Sequence, residues 1–401
     1  MTTYLHILGR QPALGLAELE ALFGAAHVQP IAGKYALVKT DSAPNFDRLG
    51  GSIKTGRVLA SLPSTDWDKL VNFVGRQLPD HLSHIPDGKV QFGISAYDVH
   101  VTPSRINSST LELKKIIKQT GRSVRIVANT DTALSSAQTL HNRLTGDRGV
   151  ELMLVRDGSS TIIAEAVHVQ NIESYTRRDR ERPMRDAYVG MLPPKLAQII
   201  INLAAGQVRN KKQETRNTAE KSPVVLDPFC GTGVILQEAL LMHYPVYGCD
   251  LDERMVRYTR DNINWLQGAT GAVHAWHLER GDATNHKWRQ PIDIVASETY
   301  LGTPLKTLPA PVELDKIMNS CDTLHRAFLQ NLAPQIASGT PLCLAVPAWR
   351  VGKSFLHLPF IDDLAAIGYN RIDFKHVRHS ELLYHRESQL VARELLVLTR
   401  V

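Results

Sequence analysis

The stretch that decides the fold of this 401-residue chain is residues 224–233, which read Val224-Val225-Leu226-Asp227-Pro228-Phe229-Cys230-Gly231-Thr232-Gly233. The apolar run that opens it is typical of a parallel strand buried on both faces. The glycines at the bend let a ligand approach the backbone, because no Cβ stands in the way. A helical stretch, residues 234–241, follows directly. The sequence therefore predicts a ligand-binding turn between a buried strand and a helix.

This turn differs from the dinucleotide-binding fingerprint GxGxxG, in which a pyrophosphate lies at the helix N-terminus. Leu236 stands where the third glycine would be, and Asp227 stands four residues before the first glycine. A carboxylate at that place would repel a pyrophosphate, but it suits a cationic ligand that carries an amine. The alternative, a loop whose glycines merely fit a turn, is the weaker interpretation in this strand–turn–helix context.

Acids also follow the next two predicted strands. Asp250 stands about 20 residues after the glycine turn, a spacing at which an acid can accept hydrogen bonds from ribose hydroxyls, although Asp252 is close enough to compete for that role. Asp282 follows the third strand and could accept from an adenine amine. Singly, each acid would be read as a loop residue or a helix cap. Acids at consecutive strand ends instead indicate a nucleoside site, because open α/β sheets bind ligands at that edge.

The alternation of strands and helices predicts the domain organisation. Residues 191–401 predict a doubly wound, Rossmann-like α/β domain with a parallel sheet and an antiparallel C-terminal hairpin. Residues 66–172 predict an α+β unit, and residues 1–65 a separate α/β domain. Residues 173–190 predict a basic linker, although charge runs are more often solvated, salt-bridged surface. Its arginines are Arg177, Arg178, Arg180, Arg182 and Arg185.

Composition narrows the class of protein. The formal net charge is +6, which favours a polyanionic partner such as nucleic acid, though only weakly. No stretch reads as a signal peptide or a membrane helix, and the four cysteines are scattered. We therefore expect a cytoplasmic protein without a disulfide framework. The spacing of the histidines predicts no metal site.

The motifs together resemble a known family. The turn 227–233, combined with Gly248-Cys249-Asp250 and Gly281-Asp282-Ala283, resembles the Rossmann-fold methyltransferases. The block 190–197, Gly-Met-Leu-Pro-Pro-Lys-Leu-Ala, resembles the motif that precedes the core in the THUMP-domain tRNA guanine-N2 methyltransferases. Residues 134–144, 169–172 and 178–183 resemble that family's THUMP domain and linker. The resemblance covers most of the chain and is weakest near the N-terminus.

The resemblance implies a cofactor, a partner and roles for individual residues. The cofactor would be S-adenosylmethionine, with its ribose held by Asp250 and its adenine by Asp282. The partner would be tRNA, held by a THUMP-like RNA-binding domain and the basic linker, with no membrane contact. The oligomeric state and the need for a small activating subunit stay open. The implied cofactor-binding residues also include Asp227, Cys230, Gly231, Thr232 and Gly233 around the methionine end, and Pro193 and Lys195 in a covering turn. The RNA-binding candidates are the five linker arginines with Lys114, Lys115 and Arg143.

The family's acceptor motif, Asp-Pro-Pro-Tyr, is altered in this chain, which reads Ser297-Glu298-Thr299-Tyr300-Leu301-Gly302. Leu301 replaces the motif's aromatic residue, and Tyr300 lies one position before it. In the family its acid and a backbone carbonyl accept hydrogen bonds from the target amine. Here Glu298 takes the place of the acid, Tyr300 could stack on the base, and Ser297 joins them as a catalytic candidate. The missing prolines remove a rigid turn. The motif is then a tuned variant, a site for a shifted target, or a lapsed catalyst that still binds RNA.

We favour the tuned variant, because an acid and an aromatic residue both remain. The alternative to a catalytic role is that Glu298 is only a surface acid at a strand end. The sequence thus predicts methyl transfer from S-adenosylmethionine to the N2 amine of a guanosine in tRNA. The rival predictions are an amino methyltransferase of DNA bases and an RNA-binding protein that keeps a cofactor pocket without turnover.

Overall fold

The computed structural model describes residues 1–41, 43–186, 192–214, 222–271, 274–289, 291–387 and 389–401, and the side chains of 207–214 are not described. Parts of two predicted segments, 187–190 of the linker and 190–191 of the block before the core, lie outside the described residues. The chain forms two compact units. The first unit is Met1–Pro12, Ala26–Asp47 and Ser52–Ser174, and the second is Ala13–Ala25, Arg48–Gly51 and Tyr175–Val401.

The strands and α-helices of the described residues are numbered in chain order. The strands are β1 (Thr2–Leu8), β2 (Val28–Ile31), β3 (Tyr35–Thr40), β4 (Ser52–Leu62), β5 (Val90–Tyr97), β6 (Val124–Ile126), β7 (Gly149–Asp157), β8 (Ser160–Val169), β9 (Val225–Asp227), β10 (Val246–Asp250), β11 (Trp276–Arg280), β12 (Ile294–Glu298), β13 (Pro341–Val351), β14 (Ser354–Leu356), β15 (Tyr369–Arg371), β16 (Leu383–Tyr384) and β17 (Val391–Arg400). The helices are α1 (Pro12–Phe23), α2 (Trp67–Ser83), α3 (Pro103–Gln119), α4 (Ser136–His141), α5 (Ile172–Arg180), α6 (Pro194–Glu214), α7 (Val234–Leu241), α8 (Glu253–Thr270) and α9 (Pro311–Leu332).

The first unit is built on one sheet in the order β2-β3-β1-β4-β8-β7-β5-β6. Strand β4 pairs antiparallel with both β1 and β8, so the sheet runs without a break from the N-terminal strands into the later ones. The predicted boundary between residues 1–65 and 66–172 is therefore wrong. The sequence suggested it because the early strands are short, and β4 is where the two groups of strands join.

A buried ion pair lies in the core of the first unit. Lys54 and Glu151 are both buried and form a salt bridge, and Lys54 Nζ also donates to the carbonyl oxygen of Leu134 at 3.1 Å. Ser95 and Thr139 donate their hydroxyl hydrogens to Glu151 at 2.5 and 2.7 Å. Each of the two buried charges is compensated by the other, so removing either Lys54 or Glu151 would leave an uncompensated buried charge.

The second unit contains a sheet in the order β11-β10-β9-β12-β13-β17-β15. Strands β9 to β13 pair in parallel, and β17 pairs antiparallel with β13 and β15. The predicted Rossmann-like parallel sheet with an antiparallel C-terminal edge is confirmed. Order reverses between β9 and β12, and ligands of open α/β sheets bind at such a reversal.

Two acidic side chains of helix α1 accept hydrogen bonds from other parts of the second unit. Glu18 is fully buried and accepts from the backbone amides of Gly50 and Gly51 at 2.9 and 2.8 Å and from Asn202 at 2.7 Å. Burial raises the pKa of Glu18 to about 7. Glu20 accepts from backbone amides near residue 375. A Cβ on Gly51 would lie 2.3 Å from Gly15 Cα, so the close approach of these two backbone segments requires glycine at position 51. No helix among the described residues is long and apolar enough to span a membrane.

Candidate active site

A cavity of about 560 Å³ lies in the second unit at the carboxyl ends of β9, β10 and β12. This volume lies within the range of small-molecule and cofactor sites. Its walls combine apolar side chains with a few acids, and Leu192 lies in the wall just before α6 begins. Of the predicted site residues, those that line the cavity are Asp227, Cys230, Gly231, Thr232, Asp250, Asp282, Glu298 and Tyr300.

Asp227 is a buried acid of the cavity. It ends β9, is 2% exposed, and its Oδ1 accepts from the Ser297 hydroxyl at 2.6 Å and from the Phe229 amide at 3.2 Å. Burial raises its pKa to about 8, the two hydrogen bonds oppose that rise, and the charges of Asp250 and Glu298 add to it. Such a group gains most from a cationic ligand, which would restore its ionised form. Ser297 is a catalytic candidate of the acceptor motif, but its hydroxyl group donates to Asp227 and orients that carboxyl group.

The glycine turn is held from outside the motif. Gly231 and Gly233 have φ angles of +52° and +83°, a region that other residues adopt only with strain. The carbonyl oxygen of Gly231 accepts from the Thr259 hydroxyl at 2.8 Å, and a Cβ on Gly233 would lie 2.7 Å from Thr259 Cγ2. Thr259, on α8, therefore fits only a glycine at position 233. Sequence reasoning missed this threonine, because no motif contains it.

The two acids at the following strand ends are fixed by backbone amides. Asp250 accepts from Gly231 N at Oδ2 and from Asp252 N at Oδ1, both at 2.9 Å, and burial raises its pKa. Asp282 accepts at Oδ1 from the amide and hydroxyl of Thr284, at 2.9 and 2.7 Å. Asp252, the competing candidate, instead caps α8 by accepting from Arg254 N. The structure therefore supports Asp250 over Asp252 as the acid beside the turn.

Asn262 connects the glycine turn with the segment that follows α5. Its side-chain amide donates to the carbonyl oxygens of Thr232 and Met184 at 2.8 and 2.9 Å and accepts from Met184 N at 2.9 Å. Its exposed surface is zero. One side chain thus satisfies backbone groups in both places, which ties the position of the turn to that of residues 181–186. Sequence reasoning also missed Asn262, because an asparagine within a helix is not distinctive.

Glu298 ends β12 and lines the cavity, but it is not a surface acid. Its Oε1 accepts a hydrogen bond from Arg393 Nε in an ion pair, with exposures of 15% for Glu298 and 8% for Arg393. Burial raises the pKa of Glu298 above its ordinary value, and the charge and hydrogen bond of Arg393 offset part of that rise. The partners are 95 positions apart in the sequence, which explains why the sequence did not reveal the pair.

The rest of the altered acceptor motif divides between the protein interior and the cavity. Tyr300 is 43% exposed and lines the cavity, where its ring has room to meet a planar group. Thr299 is buried beside His325, with Oγ1 2.7 Å from Nε2, and His325 Nδ1 lies 2.6 Å from the carbonyl oxygen of Cys321. Because a carbonyl can only accept, Nδ1 carries the proton of a neutral ring. The single hydrogen of the Thr299 hydroxyl then has two acceptors within reach, His325 Nε2 and the carbonyl oxygen of Ala345 at 2.9 Å. Burial lowers the pKa of His325 to about 4, in keeping with a neutral ring.

The predicted covering turn, Pro193 to Lys195, does not itself line the cavity. Pro193 accepts at its carbonyl from Leu196 N and Ala197 N as α6 begins, and the Lys195 ammonium lies 5.0 Å from the Tyr175 ring, so Leu192 is the member of this region that lines the cavity. The roles of Pro193 and Lys195 over a cofactor stay predictions.

Helix α5 (Ile172–Arg180) takes up the first half of the predicted basic linker, residues 173–190. Arg178 Nε donates to buried Glu238 at 2.6 Å, and Arg182 is 2% exposed. Arg178 is held by this ion pair, and neither side chain is exposed as a contact with RNA requires. Arg177, Arg180 and Arg185 are exposed, as the prediction of an RNA surface requires.

The basic candidates of the first unit lie on its surface. Lys115 and Arg143 are exposed and Lys114 is half-buried. Arg143 has a φ of +52° just after α4, and its carbonyl oxygen accepts from Gly146 N. Their contact with RNA stays a prediction.

S-adenosylmethionine fits this donor set. A buried acid suits an amine-bearing cation, an acid fixed by amides suits ribose hydroxyls, and a third acid suits an adenine amine. These are the roles predicted for Asp227, Asp250 and Asp282, in the order of their strands. The apolar part of the wall matches the adenine and the methylene groups. The chemistry of these side chains and their positions at the strand ends support the predicted roles, and each role is testable by substitution.

Comparisons with known proteins show what this chain is similar to. Residues 186–362 match the family model described as RMKL-like, methyltransferase domain. The tRNA (guanine(10)-N2)-dimethyltransferase of Methanothermobacter thermautotrophicus is 30% identical over 170 residues, which is 42% of this chain and 42% of that protein. The enzyme of the same name from Methanocaldococcus jannaschii is 24% identical over 240 residues, 57% of this chain and 60% of that protein. This chain thus covers less than two thirds of either relative.

A solved structure supports the fold of the whole chain. TrmN from Thermus thermophilus aligns over 100% of both chains with a TM-score of 0.52 and 16% sequence identity. At this identity the likeness concerns the fold alone. Together the comparisons confirm the resemblance to the tRNA guanine-N2 methyltransferases, and residues 186–362 match a methyltransferase domain.

Proposed function

We propose that this chain transfers a methyl group to the exocyclic N2 amine of a guanosine in tRNA. The observation that carries the proposal is the cavity in which buried Asp227 and Glu298 lie at the ends of the neighbouring strands β9 and β12. S-adenosylmethionine supplies the methyl group when bound. The relatives named tRNA (guanine(10)-N2)-dimethyltransferase support guanosine as the target.

The chain's own residues would act by positioning. Glu298 would accept a hydrogen bond from the target amine, and Tyr300, exposed in the cavity wall, would stack on the guanine ring. Such fixed geometry is where the rate is gained, since an error near 1 Å costs about 100-fold. Asp227 would stay on the cofactor side of the site, held there by Ser297.

The RNA would be bound outside the cavity. We assign to the first unit the role of a THUMP-like RNA-binding domain, with Lys114, Lys115 and Arg143 on its surface. The exposed Arg177 and Arg180 of α5 would add contacts with phosphates. Replacing any one of these basic residues by alanine should make tRNA binding less dependent on salt concentration, because fewer counterions are then released from the phosphates.

The test uses purified full-length chain, S-adenosylmethionine labelled in its methyl group, and tRNA transcribed without modifications, followed by nucleoside analysis. Labelled N2-methylguanosine is expected, absent with Asp227→Ala and reduced strongly with Glu298→Gln. Duplex DNA offered in parallel should stay unlabelled. Label in a DNA base would replace this proposal with a DNA amino methyltransferase. Cofactor binding without transfer to any RNA would instead leave a binding protein without turnover.

A further inference from the structure

The altered acceptor motif is accompanied by a partner outside the motif. A buried carboxylate that lines a cavity must be compensated, or it takes up a proton and changes its hydrogen-bonding character. Glu298 has that compensation from Arg393, which lies on β17, two strands away in the sheet.

The sheet register explains how Arg393 reaches Glu298. Glu298 pairs with Ala345 of β13, and Ala345 pairs with Leu395 of β17. Residues two apart on a strand lie on the same face, so Arg393 shares the face of Leu395. Its side chain therefore extends across β13 to Glu298, and its guanidinium carbon lies 6.0 Å from the Tyr384 ring.

The next residue of the strand provides a natural comparison. Glu394 points to the opposite face, where it pairs with Arg371 at 2.9 Å and with His357. The two ion pairs, Arg393–Glu298 and Arg371–Glu394, each include a residue of β17, and both are largely buried. They differ in place, because Glu298 lines the cavity, whereas Arg371 and Glu394 do not. A purely structural role would make the two arginines similar.

We propose that Arg393 is the positioning residue of the acceptor site, because its buried ion pair holds the Glu298 carboxylate charged and directed at the place of the target amine. The inference rests on the proposed function. Arg393 binds one carboxylate oxygen, Oε1, through Nε, so the carboxylate keeps acceptor sites for the amine. The ion pair thus substitutes for the rigid turn that the missing prolines would have made.

A double-mutant cycle tests this in the full-length chain. Arg393→Met should lower kcat for methyl transfer to tRNA about 100-fold, the cost of a misplaced group, with KM for tRNA within a few-fold of wild type. Glu298→Gln should cost a similar factor, and Glu298→Gln with Arg393→Met should be no worse than Glu298→Gln alone. Arg393→Lys should recover part of the rate. The control Arg371→Met should leave kcat close to wild type. Rate reductions that multiply in the double variant, or an equal reduction in Arg371→Met, would overturn the inference.

A second measurement does not need turnover. In the infrared spectrum near neutral pH, wild type should already show protonated carboxyl groups from Asp227 and Glu18. Arg393→Met should show an additional protonated-carboxyl stretching band that is absent from wild type and from the double variant. A band already present in wild type and removed by Glu298→Gln would overturn the inference. If wild-type chain methylates no RNA, the proposed function fails, while the infrared result still decides the state of Glu298.

Discussion

The pH dependence of cofactor binding should report on Asp227. The pKa of this carboxyl is raised from 3.8 to about 8 because it is buried. Below pH 8 the unliganded protein therefore holds the acid protonated, and binding a cationic amine must release that proton. Affinity for S-adenosylhomocysteine should rise with pH, about tenfold per unit while the ligand amine stays protonated.

Between pH 6 and pH 7.5 the dissociation constant should fall about 30-fold, from tenfold per unit over 1.5 units. Titration calorimetry in buffers of different ionisation enthalpy should find close to one proton released per ligand near pH 7. Asp227→Asn should bind weakly with neither the slope nor the proton release, whereas Asp250→Asn should keep both. A flat profile in the wild type, or proton release that persists in Asp227→Asn, would refute the role of this carboxyl.

The same acid predicts a stability effect of known sign. The folded state keeps the Asp227 proton up to about pH 8, whereas the unfolded chain releases it near the ordinary pKa of 3.8. The folded state therefore binds more protons across this window, and this group makes the unliganded protein less stable as pH rises. Asp227→Asn should remove that part of the decline. A decline of unchanged size in the variant, measured by denaturant unfolding, would contradict the assigned pKa.

Three other substitutions test individual contacts. Gly233→Ala should weaken cofactor binding more than Gly271→Ala, because both glycines have positive φ but only the first has a side chain in the space of its Cβ; equal effects in calorimetry would contradict this. Asn262→Ala should lower cofactor affinity and speed amide exchange in residues 181–186, at about 1 kcal/mol for each hydrogen bond removed, and unchanged exchange there would argue against the bridge. Lys54→Met should destabilise the first unit by about 3–5 kcal/mol, with most of that stability recovered by adding Glu151→Leu; no recovery in denaturant unfolding would count against the ion pair as the cause.

The parts of the site that the sequence predicted are local. The apolar strand before Asp227, the glycines after it and the acids at two further strand ends are each readable within a few residues. Parallel strands then bring those ends to one edge by a general rule of α/β sheets. The cavity accordingly contains most of the predicted cofactor residues, including Asp250 and Asp282.

What the sequence could not predict depends on long-range pairing. Arg393 meets Glu298 across 95 residues, and the pairing depends on the register of three strands. The arginines near residue 180 look alike in sequence, but the packing of α5 buries Arg182 and pairs Arg178 with Glu238, while others stay exposed. Composition indicates charge, and only the packing distinguishes arginines that support the fold from those that can meet RNA.

The N2 amine of a guanosine in tRNA is the proposed target, and removing that amine tests the proposal most directly. Unmodified tRNA is transcribed with inosine in place of guanosine at single positions, since inosine lacks only the N2 amino group. Label from S-adenosylmethionine is expected to appear as N2-methylguanosine and to disappear when one particular guanosine is replaced, while tRNA binding is unchanged. Label that persists in every inosine-substituted tRNA, or that appears in another nucleoside, would contradict the proposed target.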